Sequence, residues 1–140
     1  MKKIIIVSCI LFFNILFGQD VTFKDLESFK NQPIITTEKK LKEKKYKYLK
    51  TFEGGIQWKA TDGKGIIVFN GKGAVLFMNK NLQLHTKILK EIKSNGYNYE
   101  GKSYSERNQV EKYSKGKSKV IITTLKDPDD GKPLYSMTII

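Results

Sequence analysis

Few residues in this chain are equipped for chemistry. His85 is the only histidine. An imidazole can serve as a general base or a metal ligand. A metal site needs several convergent ligands, however, and a nucleophilic triad needs an activated serine, for which no G-x-S-x-G elbow is present. Helical spacing places His85 beside Leu82, Ile88, Leu89 and Ile92, the setting of a half-buried structural histidine. Asp127, Asp129 and Asp130 supply an oxygen density that suits calcium. Gly131, Lys132 and Pro133 then stand where an EF-type loop needs an oxygen ligand and its glycine, and no distant acid follows. Asp, Pro and Gly are equally the material of a plain turn, and a turn is expected there. Glu53, Glu100, Glu106 and Glu111 are carboxylates of the kind a hydrolase pairs across a glycosidic bond, but the sequence places no two of them at the separation this needs. A carboxylate-dependent hydrolase is therefore the weakest of the readings open here. The glycines at 54, 55, 63, 65, 71 and 73 sit in hairpin turns, outside the strand–GxxxxGK[ST]–helix context that cradles a phosphate.

One constellation rises above this background, and it is basic and aromatic. Lys39, Lys40, Lys42, Lys44, Lys45, Lys47 and Lys50 interleave with Tyr46, Tyr48, Phe52 and Trp58. Aromatic faces beside ammonium groups can stack sugars or bases while holding phosphate or carboxylate. If a ligand surface exists, it is expected at Lys44, Lys45, Tyr46, Lys47 and Trp58. The competing expectation is that Tyr48, Leu49 and Phe52 enter the core while lysine stems cover apolar edges. No metal site, catalytic residue or cofactor is expected.

The N-terminus carries an address. Lys2 and Lys3 precede an apolar run from Ile4 to Phe17, and Gly18 follows. A charged start, a short apolar segment and a small residue at its end make a secretory signal peptide. The run is shorter than the ~18–20 residues of a stable membrane span, so cleavage after Gly18 or Gln19 is expected, with no stable span left afterwards. Residues 1–18 are then a leader and 19–140 a single exported domain, periplasmic or extracellular. Cys9, the only cysteine, leaves with the leader, so the mature chain has no thiol chemistry and no disulfide. The whole chain has 26 basic and 14 acidic residues; without Lys2 and Lys3 the balance is +10. Such a field favours anionic partners. Arg107 is nevertheless the sole arginine, and arginine is the residue suited to bidentate phosphate and base recognition.

The elements follow from periodicity and punctuation. Thr22 to Asn31 reads as a capped helix with Asp25 completing a capping box and Pro33 ending it. Glu38 to Lys47 reads as a basic surface helix. Four strands come next, Tyr48–Phe52, Ile56–Ala60, Ile66–Phe69 and Ala74–Met78, separated by glycine turns too short for parallel crossovers. A helix is expected from Leu82 to Asn95, between an Asn81 cap and Gly96. Tyr97–Ser103, Gln109–Tyr113, Lys119–Leu125 and Leu134–Ile140 complete a second set of strands. The fold class is α+β, with helices packed on one face of an antiparallel meander sheet.

Both halves run helix, then four strands. Leu41-Lys42-Glu43 echoes Leu89-Lys90-Glu91, Tyr46-Lys47-Tyr48 echoes Tyr97-Asn98-Tyr99, and Gly63-Lys64 echoes Gly116-Lys117. An internal duplication, 37–79 against 81–140, would give two tandem units. The alignment needs gaps, and lysine bias can produce the same echoes. In outline the repeat resembles tandem helix-plus-four-strand scaffolds such as the β-lactamase inhibitory protein family, a similarity of architecture alone, with that family's disulfides absent. What it implies is a non-enzymatic binding or inhibitory module whose partner is a protein. The basic composition supports a rival expectation, an envelope-polyanion binder acting on lipid headgroups, wall polymers or extracellular DNA.

Overall fold

The computed structural model describes residues 20–140; the leader reading lies outside them. Helix α1, Phe23–Phe29, begins at a capping box. The Thr22 side chain accepts from the Asp25 N–H at 3.1 Å, and the Asp25 carboxylate accepts the Thr22 N–H at 2.9 Å. Helix α2, Ile34–Glu43, starts immediately after Pro33, whose φ of −54° is already set for a helical start. Proline therefore launches α2 rather than only closing α1, and this moves the basic helix four residues upstream of the expected 38–47. Lys45, at φ 60°, breaks the chain direction, and the segment expected to end the helix instead opens β1, Tyr46–Phe52.

Strands β2 (Gly55–Ala60), β3 (Ile66–Phe69) and β4 (Val75–Asn79) follow as a meander. Asn79 and Asn81 turn β4 into helix α3, Leu82–Ser94: the Asn79 side chain accepts the Asn81 N–H at 3.0 Å, and Asn81 caps Leu84 at 3.1 Å. Strands β5 (Asn98–Tyr104), β6 (Asn108–Lys115), β7 (Ser118–Lys126) and β8 (Pro133–Ile139) form a second meander.

The two meanders join into one eight-stranded antiparallel sheet of order β1-β2-β3-β4-β8-β7-β6-β5. Its seam pairs Val75 with Ile139, Leu76 with Thr138 and Phe77 with Met137. An approximate two-fold axis passes through the Leu76–Thr138 pair. Across it, Tyr48 opposite Trp58 corresponds to Tyr99 opposite Tyr113, and each of these pairs is followed at once by a bulge in its edge strand, at Tyr48/Lys50 and Tyr99/Gly101. The echoed Tyr-x-Tyr segments thus fall at equivalent places in the two halves.

The three helices among the described residues pack on the same face of the sheet. Phe23, Leu26 and Phe29 of α1, Thr37 and Leu41 of α2, and Leu84, Ile88 and Ile92 of α3 close over Trp58, Ile67, Phe69, Phe77, Tyr113, Val120, Ile122 and Met137. Polar contacts tie the layers. Glu91 accepts the Phe23 N–H at 2.6 Å, and the Tyr97 hydroxyl bonds Glu27 at 2.6 Å and Ser118 at 2.9 Å. No helix among the described residues is long and apolar enough to cross a membrane.

Burial works against ionisation of Asp25, but the Thr22 N–H and the Lys44 ammonium, 3.0 Å away, outweigh it and hold the carboxyl below its usual range. A carboxyl depressed in the folded state stabilises above the unfolded value near about 4 and loses that contribution as pH falls through the folded value. Thr22→Ala is expected to cost about 1 kcal/mol in urea unfolding at pH 7, and Asp25→Asn to flatten the acid limb of stability against pH.

Candidate functional site

The five residues singled out in the basic-aromatic segment do not share a surface. Lys44 lies against α1, paired with Asp25 at 3.0 Å and donating to the Asp20 carbonyl at 3.3 Å. Lys45 serves the turn, its carbonyl accepting the Thr61 N–H at 3.0 Å. Tyr46 is 6% exposed and Trp58 2% exposed, so neither ring offers a face to a ligand. Burial, with Asp62 and Asp20 adding repulsion, raises the Tyr46 phenol well above its ordinary value. The Trp58 Nε1 is buried without a protein partner. Only Lys47 faces solvent on the sheet. The rings expected inside, Tyr48 and Phe52, are exposed together with Leu49. The reason is register: Tyr46 lies over the core, whereas Tyr48 overhangs the Trp58 ring edge-on at 6.1 Å. The bulge that follows then carries the rest of β1 outward.

His85 stacks on Tyr135 with centroids 4.2 Å apart and ring planes within 12°. Burial lowers its pKa, partly opposed by the Glu111 carboxylate. Glu111 is itself engaged by the Tyr113 hydroxyl at 2.9 Å and the Gln109 amide at 3.0 Å. The acidic segment 127–131 forms a turn that closes on itself and on Lys80, whose ammonium sits 2.6 Å from Asp127 and 3.1 Å from Asp130. Lys80 thereby takes up oxygens that a cation would have needed. Ser118 is also fully engaged, between Tyr97, Lys30 and the Ile140 carbonyl. Among the described residues no three His, Cys, Asp or Glu side chains converge as a metal site.

One surface feature carries no chemical motif in the sequence: the sheet face opposite the helices. Strand alternation sends Ile66 and Val68 of β3, Leu76 and Met78 of β4, and Ile121 of β7 to this side, each partly exposed. Among the described residues no element packs over them. Thr123, Ser136 and Thr138 place hydroxyls between these aliphatics. Toward the sheet edges the face becomes basic, with exposed Lys47, Lys50 and Lys59 on β1–β2 and exposed Lys112 and Lys119 on β6–β7. Shallow open depressions lie at both ends, one along Lys47, Leu49 and Lys59, the other along Gly101, Val110 and Lys112.

A signal for this face was present in the sequence. An antiparallel sheet with one wet side should alternate apolar and polar residues, but Ile66-Ile67-Val68-Phe69, Val75-Leu76-Phe77-Met78 and Val120-Ile121-Ile122 are apolar on both sides. Comparison with protein families, with curated proteins and with solved structures finds no match to this chain.

Two outcomes are expected. Trp58→Ala should cost about 3–5 kcal/mol in chemical unfolding, while Lys47→Ala should stay within about 0.5 kcal/mol. An NMR titration should put the His85 pKa below the ordinary value of about 6.5. Because the unfolded chain then binds the proton more readily, stability should rise with pH between the folded value and about 6.5. His85→Phe, which keeps a ring on Tyr135, should remove that slope.

Proposed function

We propose that the chain is an exported, non-enzymatic binding or inhibitory module, working in the periplasm or outside the cell, and that it binds through the open face of its sheet. The observation that carries this reading is the apolar centre of that face, over which no element among the described residues packs, their three helices lying on the other side. A contiguous apolar patch rimmed by charge is the common mark of an interaction surface on a soluble domain. Of the side chains that could otherwise be enlisted for catalysis, Glu111, Ser118, Asp127 and Asp130 are held in contacts that serve the fold. The leader-like N-terminus supports export.

A polyanion-binding role is the second reading, supported by the +10 balance. The two readings differ in their response to salt. Binding dominated by phosphate or carboxylate contacts falls steeply as counterions are added, whereas apolar burial does not. The test sediments the processed chain with anionic vesicles and with duplex DNA, at low salt and at about 0.3 M. A module working through its apolar face is expected to stay in the supernatant at both salts; sedimentation with vesicles or DNA at low salt that is lost at the higher salt favours the second reading. N-terminal sequencing should find a start at Gln19 or Asp20 outside the inner membrane, and an intact Met1 on a cytosolic protein would contradict export.

A further inference from the structure

The open face has a chemistry that selects its partner. We infer that it docks a folded protein whose own surface carries an apolar ridge bordered by Asp and Glu. This rests on the reading of that face as the binding surface. Three observations lead there.

The first is shape and extent. Eight strands at about 4.8 Å spacing make a platform about 35–40 Å across. That is on the scale of the ~800 Å² each partner contributes to a standard protein interface. A broad platform suits a folded surface better than a small molecule or a single extended peptide.

The second is the mosaic at its centre. Thr123, Ser136 and Thr138 stand among Val68, Leu76 and Ile121. A buried hydroxyl costs free energy unless it keeps a hydrogen-bond partner. Acyl chains supply none, so a bilayer is a poor occupant. A protein surface offers both methyl groups and polar atoms.

The third is the sign of the rim. Lys47, Lys50 and Lys59 border one end, Lys112 and Lys119 the other, and all are exposed. Two acids stand at this border, Glu100 on the β5 bulge and Asp62 beside Lys47 and Lys59, the latter paired with Lys64 at 3.4 Å, so lysines still outnumber them. Rim charges act mainly on encounter rate and partner choice. A second copy of this chain would set lysine against lysine, so self-association is disfavoured by the same rim that favours a carboxylate-bordered partner.

The experiment places a photo-crosslinking benzoylphenylalanine at position 76, at position 121 and, as a control on the helix side, at exposed Lys90, in the full chain expressed in its native host. Mass spectrometry identifies the adducts, and the captured partner is purified and its association measured directly. The inference predicts one protein crosslinked from 76 and 121 but not from 90. It also predicts that the double variant Lys47→Glu, Lys112→Glu slows association with that purified protein about tenfold at low salt and little at 0.5 M. Both substitutions are at exposed positions, so the fold is retained; Leu76→Asp should abolish the complex.

Adducts from 76 and 121 to lipid, to nucleic acid or to a second copy of this chain would overturn the inferred partner while leaving the binding face standing. So would a protein partner whose association is not slowed by charge reversal. Absence of adducts at 76 and 121, or adducts from position 90 alone, would overturn both the inference and the binding-face reading.

Discussion

The architecture turns on the pairing of β4 with β8. Residues 75–79 and 135–139 are far apart in the chain, yet their ladder turns two local meanders into one platform. Without it each half would be a four-stranded sheet with a raw inner edge, an open template for further pairing. With it, the remaining edges are β1 and β5, and both carry a bulge and lysines, features that blunt edge-to-edge association. The same seam sets the start of α3, because β4 ends at buried Asn79, whose side chain helps turn the chain into the helix that crosses back over the core.

One-sided helix packing follows from the division of residues across that platform. The large rings, Trp58, Phe69, Phe77 and Tyr113, point toward the helices, where α1 adds Phe23 and Phe29. The other side receives shorter side chains from the same strands: Val68, Leu76, Ile121 and the hydroxyls between them. The three short helices among the described residues cover one face of the eight-stranded sheet, and no described element covers the other. The wet face of an antiparallel sheet is ordinarily polar, whereas this one is charged only at its ends and sets hydroxyls among aliphatics at its centre. That contrast is what the proposed binding role rests on.

Local features were readable and non-local ones were not. The Thr22 capping box, the Asn81 cap and the strand limits around Asn70-Gly71 are short-range chemistry written in neighbouring residues, and the structure has them where the sequence places them. The α+β class with helices on one side of an antiparallel sheet followed from the same signals. Pro33 was ambiguous because proline both stops a helix and opens one. The aromatics of β1 were misjudged because an edge strand with a bulge does not keep its alternation: Tyr46 is covered, while Tyr48, Leu49 and Phe52 lie outside. Trp58 and Tyr46 looked available only because lysines surround them in sequence. The seam leaves no local trace, since nothing near Leu76 announces that Thr138 will lie beside it.

One side of the sheet is core and the other is open among the described residues, and the methionines test this division most directly. Met78 projects on the open face, whereas Met137, on the neighbouring strand, points under the helices and is 3% exposed. Limited peroxide treatment of the folded processed chain, read by peptide mass mapping, should convert Met78 to the sulfoxide at least about ten times faster than Met137. Equal protection of the two, or faster oxidation of Met137 in the folded protein, would contradict the account.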